Sequence, residues 1–161
     1  MMNPTHPRTD PPTVRRKLMK PVSALLAQRR NAGLWHTSPD ATVFDALHVL
    51  AKHEVGALVV MEGDRLAGVF SERDYTRKVA LLGKNSKAMQ VAEIMTAHVI
   101  TVTPNTPTHD CMTLMSQKRI RHLPVVDNGK VVGMLSIRDL MDDIIADHEK
   151  TIEQLTNYIQ S

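Results

Sequence analysis

The chain repeats itself. Displaced by 65 residues, the segment 34–79 falls on 99–144 without a gap. Eight positions are identical, among them Pro39 with Pro104, Asp45 with Asp110, Leu58 with Leu123, Gly68 with Gly133, Ser71 with Ser136, and Arg73-Asp74 with Arg138-Asp139. Self-similarity at a fixed period marks a repeat architecture. A unit of about 50 residues is too small to bury much apolar surface alone, so the two copies must pack on one another.

Each copy predicts the same order of elements. A short apolar strand (34–37, 99–102) runs into Ser38-Pro39 or Thr103-Pro104, and a helix follows. Val43, Ala46, Leu47, Leu50 and Ala51 recur at one helical face, and Thr108, Cys111, Met112, Met115 and Ser116 repeat the spacing more weakly. Two further strands follow, 57–61 with 66–70 and 123–126 with 131–135. Asn128-Gly129 suits a type I′ turn, in which both central residues need positive φ, and Gly63-Asp64 is its counterpart. A last helix opens at Ser71 or Ser136. The expected class is α/β (α+β): two βαββα repeats related by pseudo-two-fold symmetry, with a helix at either end. The expected divisions are a disordered tail at 1–13, a helix at 14–33 closed by Gly33, the first repeat at 34–83, a linker with the second repeat at 84–147, and a C-terminal helix at 148–161. Along that last segment Leu140, Ile144, His148, Ile152, Leu155 and Ile159 form an apolar stripe suited to packing within the chain or to a partner helix.

Composition narrows the function. A hydrophobic fraction of 42% excludes wholesale disorder. An aromatic share of 3% excludes an extended base-stacking platform, and a net charge of +3 argues against a dedicated phosphate-backbone binder. A single cysteine, Cys111, excludes an internal disulfide and a cysteine-based zinc site, and its place on an apolar helix face reads as a buried, inert thiol. The eight histidines form no ligand-like cluster, so no metal is expected. Nucleophile-elbow, phosphate-loop and dinucleotide-fingerprint patterns are absent, so no catalytic residue is nominated. With no apolar run near ~18 residues and no apolar leader, a cytoplasmic location is expected.

The informative motif is Ser-x-Arg-Asp, present twice. An N-cap Ser with an acidic residue three positions on is a capping box. The same geometry suits a ligand: helix N–H groups, a hydroxyl and an Arg fork address phosphate, while Asp74 and Asp139 accept ribose hydroxyls. Gly68 and Gly133 let something approach the preceding strand closely. Phosphate with ribose reads as nucleotide.

On these residues the chain resembles a tandem cystathionine-β-synthase (CBS) domain pair, the Bateman module, and in particular the small stand-alone bacterial CBS-pair proteins. The resemblance rests on Gly-Val-Phe-Ser-Glu-Arg-Asp (68–74), Ile-Arg-His-Leu-Pro-Val-Val-Asp (120–127) and Gly-Met-Leu-Ser-Ile-Arg-Asp (133–139), and spans about 14–160. Val59 stands where the family often has the Pro seen at Pro124. The resemblance implies adenine-nucleotide binding in clefts between the repeats, with AMP foremost and ATP, ADP, NAD and S-adenosylmethionine open. One site would join Ser71, Arg73 and Asp74 to Ile100, Arg121 and His122. The other would join Ser136, Arg138 and Asp139 to Trp35, Gly56 and Ala57, where Trp35 is a wall for adenine or a core residue. The first site gathers Arg73, Arg121 and His122; Gly56 and Ala57 opposite are neutral. The expected function is a non-catalytic regulatory module, homodimeric, acting on another protein in trans. The alternatives are a nucleotide hydrolase and a nucleic-acid binder using Arg15, Arg16, Lys17, Lys20, Arg29 and Arg30.

Overall fold

The computed structural model describes residues 20–28 and 33–160. The tail at 1–13 and the basic residues Arg15, Arg16, Lys17, Arg29 and Arg30 lie outside them. Within the expected N-terminal helix, α1 covers Val22–Ala27 and closes on Gln28. Gly33 is not its cap: it has no left-handed φ and instead sits against the Trp35 ring.

In the first repeat β1 (His36–Thr37) pairs in parallel with β2 (Ala57–Glu62), which pairs antiparallel with β3 (Arg65–Ser71). Helix α2 (Val43–His53) connects β1 to β2; the Thr42 side chain caps it by accepting from Asp45 N–H, and Val43, Ala46 and Leu50 face the core. The short α3 (Glu72–Tyr75) follows β3 and continues as a wide turn through Thr76–Ala80. The second repeat has α4 (Thr108–Lys118), the hairpin β4 (His122–Asp127) with β5 (Lys130–Ser136), and α5 (Ile137–Gln160). Asn128 and Gly129 both have positive φ, at 49° and 78°, as a type I′ turn requires; in the first repeat only Gly63 does. Matching bulges fall after Val60 and after Val125.

Two differences from the sequence expectation have physical causes. The strand expected at 99–102 is reduced to one bridge, Val102 with Val125. In the first repeat Val59 N–H donates to Trp35 O and holds β1 on the sheet. The corresponding residue is Pro124, which has no N–H to give. The helix expected at 148–161 is not a separate element: α5 runs unbroken over 24 residues, since neither Gly nor Pro interrupts 137–160.

Each repeat has its own core, and each core is closed by a segment that precedes the other repeat. Val22 and Leu25 of α1 are buried with Cys111, Met115, Leu123, Leu135 and Leu140 of the second repeat. Val91 and Ile94, from the linker, are buried with Val43, Leu50, Leu58 and Phe70 of the first. The docking is the same in both places. Val22 N–H donates to Thr106 O and Ser23 N–H to Pro104 O, as Val91 N–H does to Ala41 O and Ala92 N–H to Pro39 O. These segments correspond at a displacement of 69 rather than 65, because the stretches that follow them differ in length. Val59 and Pro124, on the opposite face of their strands from the cores, are buried as well, so both faces of β2 and β4 are covered.

Among the described residues no helix is long and apolar enough to cross a membrane.

Candidate functional site

Both Ser-x-Arg-Asp segments fold as the capping box their sequence predicts. Ser71 N–H and Oγ–H donate to Asp74 Oδ2, each at 3.0 Å, and Asp74 N–H donates back to Ser71 Oγ at 3.1 Å. Ser136 and Asp139 repeat this at 2.7, 2.8 and 3.2 Å. The first helical N–H of each turn is also taken: Glu72 donates to Gly56 O and Ile137 to Arg121 O. Ser71 and Asp74 are therefore rigid, because each is held by backbone as well as side chain. Asp74 Oδ2 is filled by Ser71, and Oδ1 lies 3.2 Å from Lys78 Nζ. A carboxylate oxygen accepts about two hydrogen bonds, so Oδ1 retains one acceptor direction.

Strand register sets what lies opposite these motifs. Ala57 pairs with Ser71, and His122 with Ser136. A Cβ on Gly56 would lie 3.6 Å from the His122 imidazole, so the strand starts of the two repeats meet there. Arg73 crosses between repeats, donating from Nη1 to Arg119 O at 3.4 Å.

The result is one continuous cleft of about 1190 Å³ between the repeats. Ser71, Arg73, Asp74, Ile100, Arg121 and His122 line it, and so do Ser136, Arg138, Asp139, Trp35, Gly56 and Ala57. All twelve residues singled out in the sequence thus border a single space rather than two separate ones. Trp35 is committed on one face: its ring stacks on His53 with centroids 3.5 Å apart and planes 7° from parallel. It is half-buried against the first core while still lining the cleft.

Several lining residues lay outside the sequence reading. Arg77 and Asp142 stand one turn beyond Asp74 and Asp139 on the same helical segments, and Glu54 and Arg119 close α2 and α4. Glu54 and Arg119 both take the left-handed conformation, with φ of 52° and 53°. Each is a repeat-related pair at the displacement of 65, so the signal was present in the alignment as opposite charges at matching positions.

Two readings change. Neither Gly68 nor Gly133 borders the cleft: a Cβ on Gly68 would meet Thr96 O at 2.7 Å, and one on Gly133 would meet Leu26 Cδ1 at 3.0 Å. The close approach they permit is that of the closing segments. Lys20, the one residue of the basic N-terminal run that is described, pairs with Asp143 at 2.6 Å and faces the second repeat. Cys111 is fully buried, and burial first, then the Asp110 carboxylate, push its thiol up to about 11. Among the described residues no group of three or more His, Cys, Asp or Glu is placed to hold a metal ion.

The repeats and their fold have known relatives. The family model described as CBS domain matches residues 34–81 and 91–146. A mitochondrial CBS domain-containing protein of Arabidopsis thaliana is 43% identical over 132 residues, which are 79% of this chain and 64% of that protein. The chain thus spans somewhat less than two thirds of that relative's length. Among solved structures, a protein with CBS domains from Burkholderia ambifaria is 44% identical with a TM-score of 0.76, covering 80% of this chain and 96% of that one. A CBS domain protein from Pyrobaculum aerophilum, solved in complex with AMP, is 33% identical with a TM-score of 0.66, covering 74% and 89%.

Proposed function

The chain belongs to the CBS-domain family, and from that premise we propose that it is a non-catalytic regulatory module that binds adenine nucleotides in the cleft between its repeats. One observation carries this reading: residues nominated from two distant copies of a motif all border one continuous cleft of about 1190 Å³. The AMP bound to the Pyrobaculum aerophilum relative supports the ligand class. Ser71 with Asp74 and Ser136 with Asp139 address ribose, Arg73 and Arg138 address phosphate, and Ile100, Arg121, His122, Trp35, Gly56 and Ala57 form the facing walls. A ligand touching both repeats binds best when they are closed together, so it shifts the population toward that state. The response passes to a regulated protein in trans, in a homodimeric module.

The test is calorimetric titration with AMP, ATP and NAD, with mass spectrometry of whatever copurifies. Asp74→Asn and Asp139→Asn keep the cap acceptor but remove the charge. Each is expected to weaken nucleotide binding by about 1.5–3 kcal/mol, the worth of a hydrogen bond to a charged group. Absence of binding by all three nucleotides at millimolar concentration overturns the reading, as does turnover of any of them.

A further inference from the structure

The repeat symmetry that builds the cleft is broken by charge. Among the residues lining the cleft, two repeat-related pairs reverse their sign: Arg77 corresponds to Asp142, and Arg119 to Glu54. At a third, Arg121 corresponds to Gly56. The Arg73 contact to Arg119 O shows that α3 and the end of α4 face each other across the first half. Asp142 stands on α5 just past the second Ser-x-Arg-Asp, as Arg77 follows the first. There Asp143 replaces Lys78, and its charge is already met by Lys20 from α1. Gly56 and Ala57 made the second half look neutral in sequence; Asp142, where the first half has Arg77, makes it the more acidic of the two.

We propose that the cleft sorts its ligands by phosphate number. Arg77 and Arg119 draw a polyphosphate chain into the first half. Asp142 repels it from the second, which accepts adenosine ligands carrying at most one phosphate. The inference rests on the adenine-nucleotide reading for the ligand's other end, but the selectivity belongs to side chains outside the Ser-x-Arg-Asp motifs. A charged contact in a cleft acts on each added phosphate, whereas a ribose contact is indifferent to phosphate number. All four residues are exposed, so substituting them leaves the cores untouched.

The experiment is calorimetry with AMP, ATP and inorganic tripolyphosphate at low salt, on the unaltered protein, Arg77→Asp, Arg77→Gln and Asp142→Arg. Arg77→Asp should weaken ATP and tripolyphosphate about tenfold and AMP much less, with Arg77→Gln intermediate. Asp142→Arg should let a second ATP bind per chain. An ATP-to-AMP preference unchanged in all three variants overturns the sorting while leaving adenine binding intact. Tripolyphosphate binding that responds to Arg77, with no nucleotide bound, supports the charge assignment and overturns the adenine reading. Silence toward all three ligands overturns both. Thermal melting of each variant confirms that it is folded; if Arg77→Asp is not, Arg77→Gln and Asp142→Arg decide.

Discussion

Gly68 and Gly133 are identical in sequence and equivalent in fold, yet they are unequal in what surrounds them. A methyl group on Gly68 runs into the Thr96 carbonyl, a backbone atom held by reciprocal hydrogen bonds between Val69 and Thr96. A methyl group on Gly133 meets only the end of the Leu26 side chain, which can rotate away. Gly68→Ala should therefore cost about 1–3 kcal/mol, as overpacking does, and Gly133→Ala clearly less. Urea unfolding of the two variants checks the order, and equal costs would contradict it. At this scale the sequence was a good guide to the cleft and a poor one to its charge. The doubled Ser-x-Arg-Asp leads to the cleft because one local geometry, the cap, fixes Ser and Asp with Arg between them. Arg77, Asp142, Glu54 and Arg119 belong to no motif; only laying one repeat over the other, one turn past the Asp, brings their opposed signs into view.

Among the elements, α5 differs most from its counterpart. Its first turns serve the second core through Leu140, which is 1% exposed, while Met141, Ile145, Ile152 and Leu155 are 54%, 51%, 64% and 59% exposed. Of the stripe expected from sequence, Leu140 alone packs within the chain, Ile144 is only partly covered, and the Ile159 side chain lies outside the described residues. Met141, Ile145, His148, Ile152 and Leu155 alternate at four and three residues, the spacing of a two-helix seam with Ile at one repeat position. A second copy of α5 is the partner we propose for this face. Light scattering should then give twice the 18.0 kDa chain mass, and Ile152→Lys with Leu155→Lys should return it to one mass without lowering the melting temperature. A monomer before substitution, or a dimer after it, removes α5 as the interface. Helices were legible wherever periodicity was strong. The strand at 99–102 was not, because its loss follows from a missing donor on a neighbouring strand, which periodicity within 99–102 does not report.

The whole molecule is governed by the exchange of closing segments. α1 belongs to the second core and Val91–Ile94 to the first, so neither repeat is complete in its own stretch of chain. This was hidden from the sequence because the two segments match at a displacement different from that of the repeats, and a single-period search passes over them. Cutting the chain in the loop between Lys84 and Asn85 yields two fragments, each carrying the other's lid. Separately, each lacks two buried apolar side chains worth about 1.5–3 kcal/mol apiece and should be unfolded. Mixed, they should assemble one to one with native-like amide dispersion in NMR spectra. A fragment that folds alone would show the exchange to be dispensable. In terms of descent, a half-length chain laid out this way closes only as a reciprocal pair, at the mercy of its own concentration. Fusing two such halves end to end makes the partner always present. It also releases the halves from identity, since one gene no longer has to suit both ends of the cleft, and an arginine at one end can become an aspartate at the other.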